Sequence, residues 1–513
     1  RTEPQDGICL GMNDQRCNWH RGKGMGGTSI INYMVYTRGS KVDYDSWAEL
    51  GNTGWSYDDV LPYFLKSEDV AIPSLKTSPY HATGGYLTVD QARFHTPLGT
   101  AFMKAAKMAG YRVNDNNNPD PLGVFTILST TRNGARLSAS KAFLRPVRSR
   151  PNLHVAKRSR VTKILIDPQT KRVFGVEFVK NRRSYVVRAR KEVVLSAGTL
   201  NSPQLLMLSG IGPKDHLEEL GIPVIQDLRV GYNLQDHVSM AGLSFLVNDT
   251  VSIVETRYQR PRYLFDYVVN GNGPLTLPGG AEAVLFTRTK YSNTSRQPDM
   301  ELVMGPGSFT GDIGMSLRRS FGIRDDVFYK TYGPWMGQDA FGIVPILLQP
   351  KSRGRVKLRS KNPFHWPLFY PNYYTDEEGL DLKTVVEGIK LAVELGESSA
   401  FAHYNSRLLK SPYPGCAHLP FRSDEYWACA ARQITTNLHH QVGTCKMGPP
   451  TDPEAVVDPR LRVYGVKGLR VVDASIMPII PTGHTNAIVF MIGEKAADMI
   501  KEDWGNSLDR RRG

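Results

Sequence analysis

The chain has 513 residues, of which 41% are hydrophobic and 22% charged, a composition that excludes a disordered protein and fits two or three packed domains. Its net charge is +15, but the lysines and arginines do not cluster with aromatic residues, so no nucleic-acid partner is expected. No run of about 18 apolar residues occurs, so no membrane span is expected.

The short basic stretches 180–183, 188–191 and 510–512 are interpreted as solvated loop or tail residues. Two N-glycosylation sequons begin at Asn248 and Asn293 and favour secretion slightly. We expect an extracellular protein whose signal peptide lies outside the sequence, which starts at Arg1 rather than at Met.

The cysteines form two pairs that are close in sequence and one single residue. They are Cys9, Cys17, Cys416, Cys429 and Cys445. Two local disulfides with one free thiol and five ordinary buried thiols both fit this spacing. None of the spacings fits a zinc site, and no metal is expected.

The first element in chain order is a glycine-dense loop over 21–29, followed by the apolar stretch 30–35, and this pattern predicts a loop that leads into a helix. Glycines let the backbone approach a ligand closely, and a helix start favours an anion, so Gly26 to Ser29 could hold a pyrophosphate. A tight turn before a buried helix is the alternative. Helical spacing of Phe and Ala also predicts a surface helix over 97–111.

From Val161 the pattern changes to period two and predicts an antiparallel meander with strands at 161–166, 173–179 and 185–195. The last predicted strand runs through Ser196-Ala197-Gly198 into a helix at 200–208. Such a strand-turn-helix junction is typical of sites that bind cofactor phosphates or adenosine.

The stretch 239–349 has weak periodicity and is interpreted as part of a substrate-facing domain. Apolar residues between 382 and 393 form one helical face, which predicts a helix packed on the core. An apolar helix is predicted over 486–500, directly after Thr482-Gly483-His484.

Two glycine-rich stretches resemble the signatures of the glucose–methanol–choline flavoenzymes. The first is Gly22-Lys23-Gly24-Met25-Gly26-Gly27-Thr28-Ser29-Ile30-Ile31-Asn32, and the second is Gly198-Thr199-Leu200-Asn201-Ser202-Pro203-Gln204-Leu205-Leu206. The sequence around Asp43-Tyr44-Asp45-Ser46-Trp47 is most similar to the insect glucose dehydrogenase branch of that family. The resemblance extends over residues 7–500.

Two further stretches resemble the family's active-site segments. His440 lies in His439-His440-Gln441-Val442-Gly443-Thr444, at the position of the family's first active-site histidine, and His484 falls where members carry His or Asn. Oxidising an alcohol requires removal of a hydroxyl proton and a hydride, and imidazole suits the proton step. The resemblance therefore implies His440 as the general base and His484 as a hydrogen-bond donor to the developing alkoxide. His439 is interpreted as a structural residue.

The resemblance implies FAD as the cofactor, with the remaining predicted site residues around it. These are Gly26, Gly27, Thr28, Asn32, Val161, Ala197, Asp473, Thr482 and Gly483. Asp473 is expected near the ribityl chain or the pyrophosphate, with an N-capping role as the alternative. Members that link flavin covalently carry His before the Asn that corresponds to Asn32, whereas this chain has Ile31, so FAD is expected to be non-covalent.

The predicted fold is α/β: an FAD-binding Rossmann-like domain that lacks its first βαβ unit, plus a mixed-sheet substrate-binding domain. The predicted regions are 1–240, 241–350 and 351–495, with the FAD domain proper assembled from 1–47, 134–240 and 456–506. The expected substrate is a sugar or primary alcohol, with electrons passing to a quinone-like acceptor or to oxygen. The GxGxxG unit of the family is missing, which leaves two alternatives. The sequence is an incomplete gene model of a normal enzyme, or it is an inactive relative that does not bind flavin and has an interaction role.

Overall fold

The structure, a computed structural model, describes residues 1–509, and the basic stretch 510–512 lies outside the described residues. The helices are α1 (Lys41–Glu49), α2 (Tyr57–Ser67), α3 (Pro97–Met108), α4 (Ser202–Leu208), α5 (Lys214–Glu219), α6 (Glu255–Tyr258), α7 (Pro261–Phe265), α8 (Leu317–Phe321), α9 (Asp325–Thr331), α10 (Leu380–Gly396), α11 (Asp424–Gln433) and α12 (Thr485–Asp509).

The strands are β1 (Glu68–Val70), β2 (Leu87–Gln91), β3 (Gly123–Thr126), β4 (Leu128–Ser129), β5 (Thr131–Arg132), β6 (Ala135–Arg136), β7 (Arg160–Ile166), β8 (Val173–Lys180), β9 (Arg183–Arg188), β10 (Val193–Leu195), β11 (Val238–Met240), β12 (Ser244–Leu246), β13 (Ala283–Thr287), β14 (Met300–Gly305), β15 (Ala340–Leu347), β16 (Arg355–Lys357), β17 (Leu368–Tyr370), β18 (Arg407–Leu408), β19 (Thr435–Asn437) and β20 (Leu469–Val471). Among the described residues no helix is long and apolar enough to cross a membrane.

The stretch with weak periodicity folds mainly into one large antiparallel sheet. Its strands follow the order β18-β12-β15-β14-β13-β3, and β11 pairs with both β15 and β19. Helices α3, α10 and α11 pack on this sheet through one apolar core. The first residues of the chain, including Ile8 and Trp19, also belong to this core, while the predicted domain limits stay a prediction.

A second core lies around the other half of the molecule. It joins α2, α4 and α12 with the β7-β8-β9 meander and the parallel pair β10-β20. The predicted meander is confirmed for its first two strands. Its third strand was predicted too long: β9 ends at Arg188, and Val193–Leu195 leaves the meander to pair in parallel with Leu469–Val471.

The helix predicted over 30–35 is wrong. Residues Gly27–Ile30 form a single 3₁₀ turn, and the chain then becomes extended, with Val35 bridging to Ser129. Oδ1 of Asn32 accepts the amide of Met34 at 3.2 Å, and such local side-chain bonds compete with helix formation. The predicted helices near 97–111, 200–208, 382–393 and 486–500 are present as α3, α4, α10 and α12.

The cysteine pairs form disulfides. Cys9 is bonded to Cys17 and Cys416 to Cys429, while Cys445 is a buried free thiol. Burial raises the pKa of the Cys445 thiol, so the group is a packed apolar side chain rather than a nucleophile.

Candidate active site

Antiparallel pairing of β11 with β19 brings two histidines together that are far apart in sequence. Val238 pairs with Asn437, and just beyond this pair the Leu438 amide donates to the carbonyl oxygen of His237 at 3.2 Å. His237 therefore lies beside His440, and their Nδ1 atoms are 2.9 Å apart.

His484 reaches the same place through a close approach of two backbone segments. A Cβ atom on Gly483 would lie 2.8 Å from the carbonyl carbon of Arg38, so only glycine fits there. The His484 amide donates to Oγ1 of Thr37 at 2.8 Å. The rings of His440 and His484 then meet edge to face, with centroids 4.8 Å apart and planes at 80°.

A buried carboxylate faces the outer nitrogen of His484. Glu301 lies on β14, is fully buried, and places Oε1 3.0 Å from Nε2 of His484. Its Oε2 has no hydrogen-bond partner among the described residues. A buried carboxylate requires a hydrogen-bond donor, and Nε2 of His484 is placed to be that donor.

Asp236 fixes the loop that carries His440. Its Oδ1 accepts the His440 amide at 2.8 Å, and its Oδ2 accepts the Tyr373 hydroxyl at 2.7 Å and Nε2 of Gln441 at 2.5 Å. Gln441 accepts in turn from the Arg21 guanidinium. Burial raises the pKa of Asp236 to about 7. The main chain at His440 is thereby held by a buried polar network.

The imidazoles of His440 and His237 are both neutral at neutral pH. Burial lowers the pKa of His440 well below its usual value, and positive charge on His484 acts in the same direction. Burial, followed by the charge on His484, lowers the pKa of His237 to about 3. A neutral imidazole can accept a proton, which is the property that a general base requires.

Asn32 contacts the first turn of α12, the helix that follows His484. Its Nδ2 donates to Oδ1 of Asn486 at 3.0 Å, and its Oδ1 accepts from Nη1 of Arg136 at 2.9 Å. The loop that contains Asn32 is therefore tied to the same helix end that carries His484.

Thr482 is held by one buried carboxylate, that of Asp43. Oδ2 of Asp43 accepts both the amide of Thr482 at 3.0 Å and its hydroxyl at 2.7 Å. Nε2 of Gln297 donates to Oδ1 of Asp43 at 2.6 Å. This link fastens the segment just before His484 to the N-terminus of α1.

A second cluster forms where the two parallel strands β10 and β20 end. Ala197 follows β10 and Asp473 follows β20, at the edge of a parallel sheet where ligands of α/β proteins commonly bind. Oδ2 of Asp473 accepts the Gly198 amide at 2.9 Å and the Ser202 hydroxyl at 2.6 Å. Its Oδ1 accepts the Ser475 amide at 2.8 Å, so the capping role also exists.

The glycine turns at both ends of the site leave their backbone open. Gly27 and Gly198 have φ of +58° and +82°, and a Cβ added to either would meet nothing within 4 Å. Ile31, in the same loop as Gly27, is 48% exposed. Open backbone at a glycine turn can approach an anionic group closely, so either turn can accommodate the phosphate part of a dinucleotide cofactor.

The predicted site residues therefore fall into groups. The structure brings together His440 with His484, Thr482 with Gly483, and Ala197 with Asp473, and it places Gly26, Gly27, Thr28 and Asn32 in one loop. Val161 is separate: it lies on β7, half-buried and paired with Phe178, and shares no described hydrogen bond with the others.

Sequence reasoning missed His237 and Glu301. A weak signal exists for each, because Gln235-Asp236-His237 is a polar run between apolar residues and Glu301 is a lone charge in the apolar strand Met300–Gly305. Such isolated polar residues in a buried element require a partner.

His439 is turned away from this cluster. Its ring meets that of His20 edge to face, with centroids 5.1 Å apart, and burial lowers its pKa to about 3.

Comparison with known proteins shows the family of the chain. Two family models described as GMC oxidoreductase match residues 5–239 and 350–493. Glucose dehydrogenase [FAD, quinone] of Drosophila pseudoobscura pseudoobscura is 41% identical over 99% of this chain and 79% of its own length. Mitochondrial choline dehydrogenase of Homo sapiens is 36% identical over 96% of this chain and 77% of its own length.

Solved structures show the same fold. Pyridoxine 4-oxidase from Mesorbium loti superposes with a TM-score of 0.79 at 28% identity, covering 97% of this chain and 87% of that chain. Formate oxidase from Aspergillus oryzae RIB40 gives a TM-score of 0.80 at 29% identity, covering 95% and 85%.

Proposed function

The chain belongs to the GMC oxidoreductase family and is an FAD-dependent oxidoreductase, and from this premise we propose that it oxidises a CH–OH group of a sugar or primary alcohol with His440 as the general base. The observation that carries the proposal is the meeting of His440 and His484, whose ring centroids are 4.8 Å apart. When bound, FAD supplies the hydride acceptor, its N5 atom.

His440 takes the hydroxyl proton at Nε2. This ring is neutral because its pKa is low, and its other nitrogen is already engaged with His237. Burial weakens His440 as a base. The negative charge that develops on the substrate oxygen next to the ring offsets this weakness as the proton moves.

His484 stabilises the alkoxide. Its Nε2 is directed at Glu301, so Nδ1 is the atom left to face the substrate. In this proposal Nδ1 donates a hydrogen bond to the developing alkoxide while the Glu301 carboxylate holds the ring through Nε2. A fixed hydrogen-bond donor at the site of developing charge is typically worth a few kcal/mol in the transition state.

Residues of both glycine turns hold the cofactor in this proposal. Gly26, Gly27, Thr28, Ala197 and Asp473 would hold the pyrophosphate and ribityl parts. Asn32, Thr482 and Gly483 would hold the ring system, and Val161 would add a backbone contact. Binding would be non-covalent, because Ile31 cannot form the link that a histidine forms at that position.

The substrate class and the electron acceptor are proposed from the names of similar relatives. A relative at 41% identity is named as a glucose dehydrogenase that uses quinone, so we propose a sugar or primary alcohol as donor and a quinone-like compound or oxygen as acceptor. Turnover with an artificial quinone-like dye, measured with and without oxygen, separates the two acceptors.

We also propose that the protein is extracellular. The two disulfides fit an oxidising compartment, and the sequon residues Asn248 and Asn293 are exposed. Release into the medium from a eukaryotic host, with a mass that falls on enzymatic removal of N-glycans, is the expected result, whereas retention in the cytosol without glycans would contradict it.

The function is tested by anaerobic titration of the FAD-loaded protein. We expect the oxidised-flavin absorption bands to bleach when glucose or another sugar or primary alcohol is added. Bands that stay unchanged across a panel of sugars and small alcohols would overturn the proposal.

A further inference from the structure

The contact between His237 and His440 is unusual because it joins like atoms. Their Nδ1 atoms are 2.9 Å apart, His237 is completely buried, and both rings are neutral. A neutral imidazole has one N–H and one lone pair, so at this distance one Nδ1 must donate and the other must accept.

The surroundings of His237 decide which of the two rings donates the hydrogen bond. Burial lowers the pKa of His237, whereas the backbone carbonyl groups of Leu348 and Pro481, which accept from an imidazole N–H, raise it. Because Nδ1 is directed at His440, Nε2 is the nitrogen left to face them, although it makes no hydrogen bond of normal geometry there. A bare lone pair in a buried site beside carbonyl oxygens is repelled, so Nε2 carries the hydrogen and Nδ1 accepts.

We infer that His237 is a positioning residue that holds His440 in the Nδ1–H tautomer. His440 donates Nδ1–H to His237, and its Nε2 keeps the lone pair. No described residue bonds to Nε2 of His440. Asp236, the residue before His237, also fixes the His440 amide at 2.8 Å, so adjacent residues set both the place and the tautomer of the base.

A neutral partner gives a different result from a carboxylate. A carboxylate on Nδ1 would favour the protonated ring, so a larger fraction of the base would already carry a proton at a given pH. Neutral His237 orients the ring without attracting a proton to it. His484 has the opposite arrangement, since its partner is the Glu301 carboxylate. The two adjacent imidazoles therefore have partners of different kinds, a neutral ring for His440 and a carboxylate for His484.

The catalytic consequence rests on the proposed function, but the tautomer is a property of the chain's own residues and has its own readout. Nitrogen-15 NMR of the FAD-loaded protein labelled in histidine distinguishes protonated from unprotonated ring nitrogens, and a His440→Ala sample assigns the His440 signals. We expect a protonated Nδ1 and an unprotonated Nε2. A protonated Nε2 with an unprotonated Nδ1 would overturn the inference.

Two substitutions of His237 provide a matched pair. His237→Asn places a side-chain oxygen near the position of Nδ1 and can still accept, whereas His237→Leu fills the space without an acceptor. We expect kcat of the Leu variant to fall at least tenfold with little change in KM, and most of it to return in the Asn variant. Equal activity of the two folded variants would overturn the inference.

The two failures are distinguishable. If the proposed function is wrong, wild-type flavin is not reduced by any alcohol, and the NMR assignment of the tautomer is still decisive. If only this inference is wrong, wild-type flavin is reduced while His440 shows the other tautomer. Should the Leu variant fail to fold, the wild-type spectrum alone decides.

Discussion

Nε2 of His484 lies 3.0 Å from Oε1 of Glu301, and the carboxylate is completely buried on β14 of the large antiparallel sheet. Through this contact the large antiparallel sheet places a carboxylate against a histidine just before α12, whereas the partner of the neighbouring His440 is another imidazole.

Glu301→Gln tests this charge. The amide keeps a hydrogen-bond acceptor for Nε2 of His484 but loses the carboxylate that makes this hydrogen bond strong, so we expect kcat to fall about tenfold or more with FAD still bound. Steady-state kinetics with flavin content measured by absorbance check it, and exposed Glu394→Gln is the control. Turnover equal to that of the control would contradict the role of the charge.

The pH dependence of kcat/KM follows from the lowered pKa of His440. Burial and the charge of His484 keep this base unprotonated through mildly acidic pH, so we expect no loss from base protonation between pH 8 and 6. An ordinary histidine would lose activity in this range. A tenfold fall in kcat/KM for each pH unit below 6.5 would show that the base is not a buried, low-pKa imidazole.

We expect the buried carboxyl group of Glu282, which lies outside the active site, to make the stability of the fold depend on pH. Its Oε1 accepts the Thr96 amide at 2.9 Å, its Oε2 has no partner among the described residues, and burial raises its pKa from 4.5 to about 7. The folded protein binds this proton more tightly than the unfolded chain does. Protonation of Glu282 therefore stabilises the fold at low pH, and this contribution is lost as the pH rises through 7.

Glu282→Gln should therefore raise the free energy of unfolding at pH 8, by about 2 kcal/mol, and leave it nearly unchanged at pH 5. Urea denaturation at both pH values measures this, with exposed Glu394→Gln as the control. The same change at pH 5 and pH 8 would mean that the Glu282 carboxyl is not proton-bound in the native protein.

Two glycines ten positions apart give opposite predictions. A Cβ on Gly483 would collide with the Arg38 backbone, so Gly483→Ala should destabilise the fold by about 2 kcal/mol or more and displace His484. Gly493 has open space around it within α12, so Gly493→Ala should stabilise the helix by about 0.5–1 kcal/mol. Urea denaturation measures both, and a neutral Gly483→Ala would contradict the close approach.

The sequence predicts His440 and His484 because family motifs surround both, and it predicts the meander because alternation is a local signal. It cannot predict that β11 pairs with β19, which alone brings His237 to His440, because strand pairing across the chain leaves no local pattern. The prediction of one strand over 185–195 failed for the same reason, since Val193–Leu195 is captured by the distant β20.

The helix predicted after the first glycine loop failed for a local reason. Apolar residues at 30–35 have helical character, but the Asn32 side chain bonds the Met34 amide and the Arg136 guanidinium. Those bonds serve the shape of the site rather than the local preference of the chain. Sequence reasoning tends to fail at functional loops for this reason.

The most direct test is the rate of flavin reduction in anaerobic stopped-flow experiments with FAD-loaded His440→Ala and, as its matched control, His439→Ala, at saturating alcohol substrate. We expect the first variant to reduce its flavin at least about a hundredfold more slowly than the wild type while its flavin content is unchanged, and the second to stay within a few-fold of it. Reduction of the His440→Ala flavin at the wild-type rate would contradict the assignment of His440 as the base.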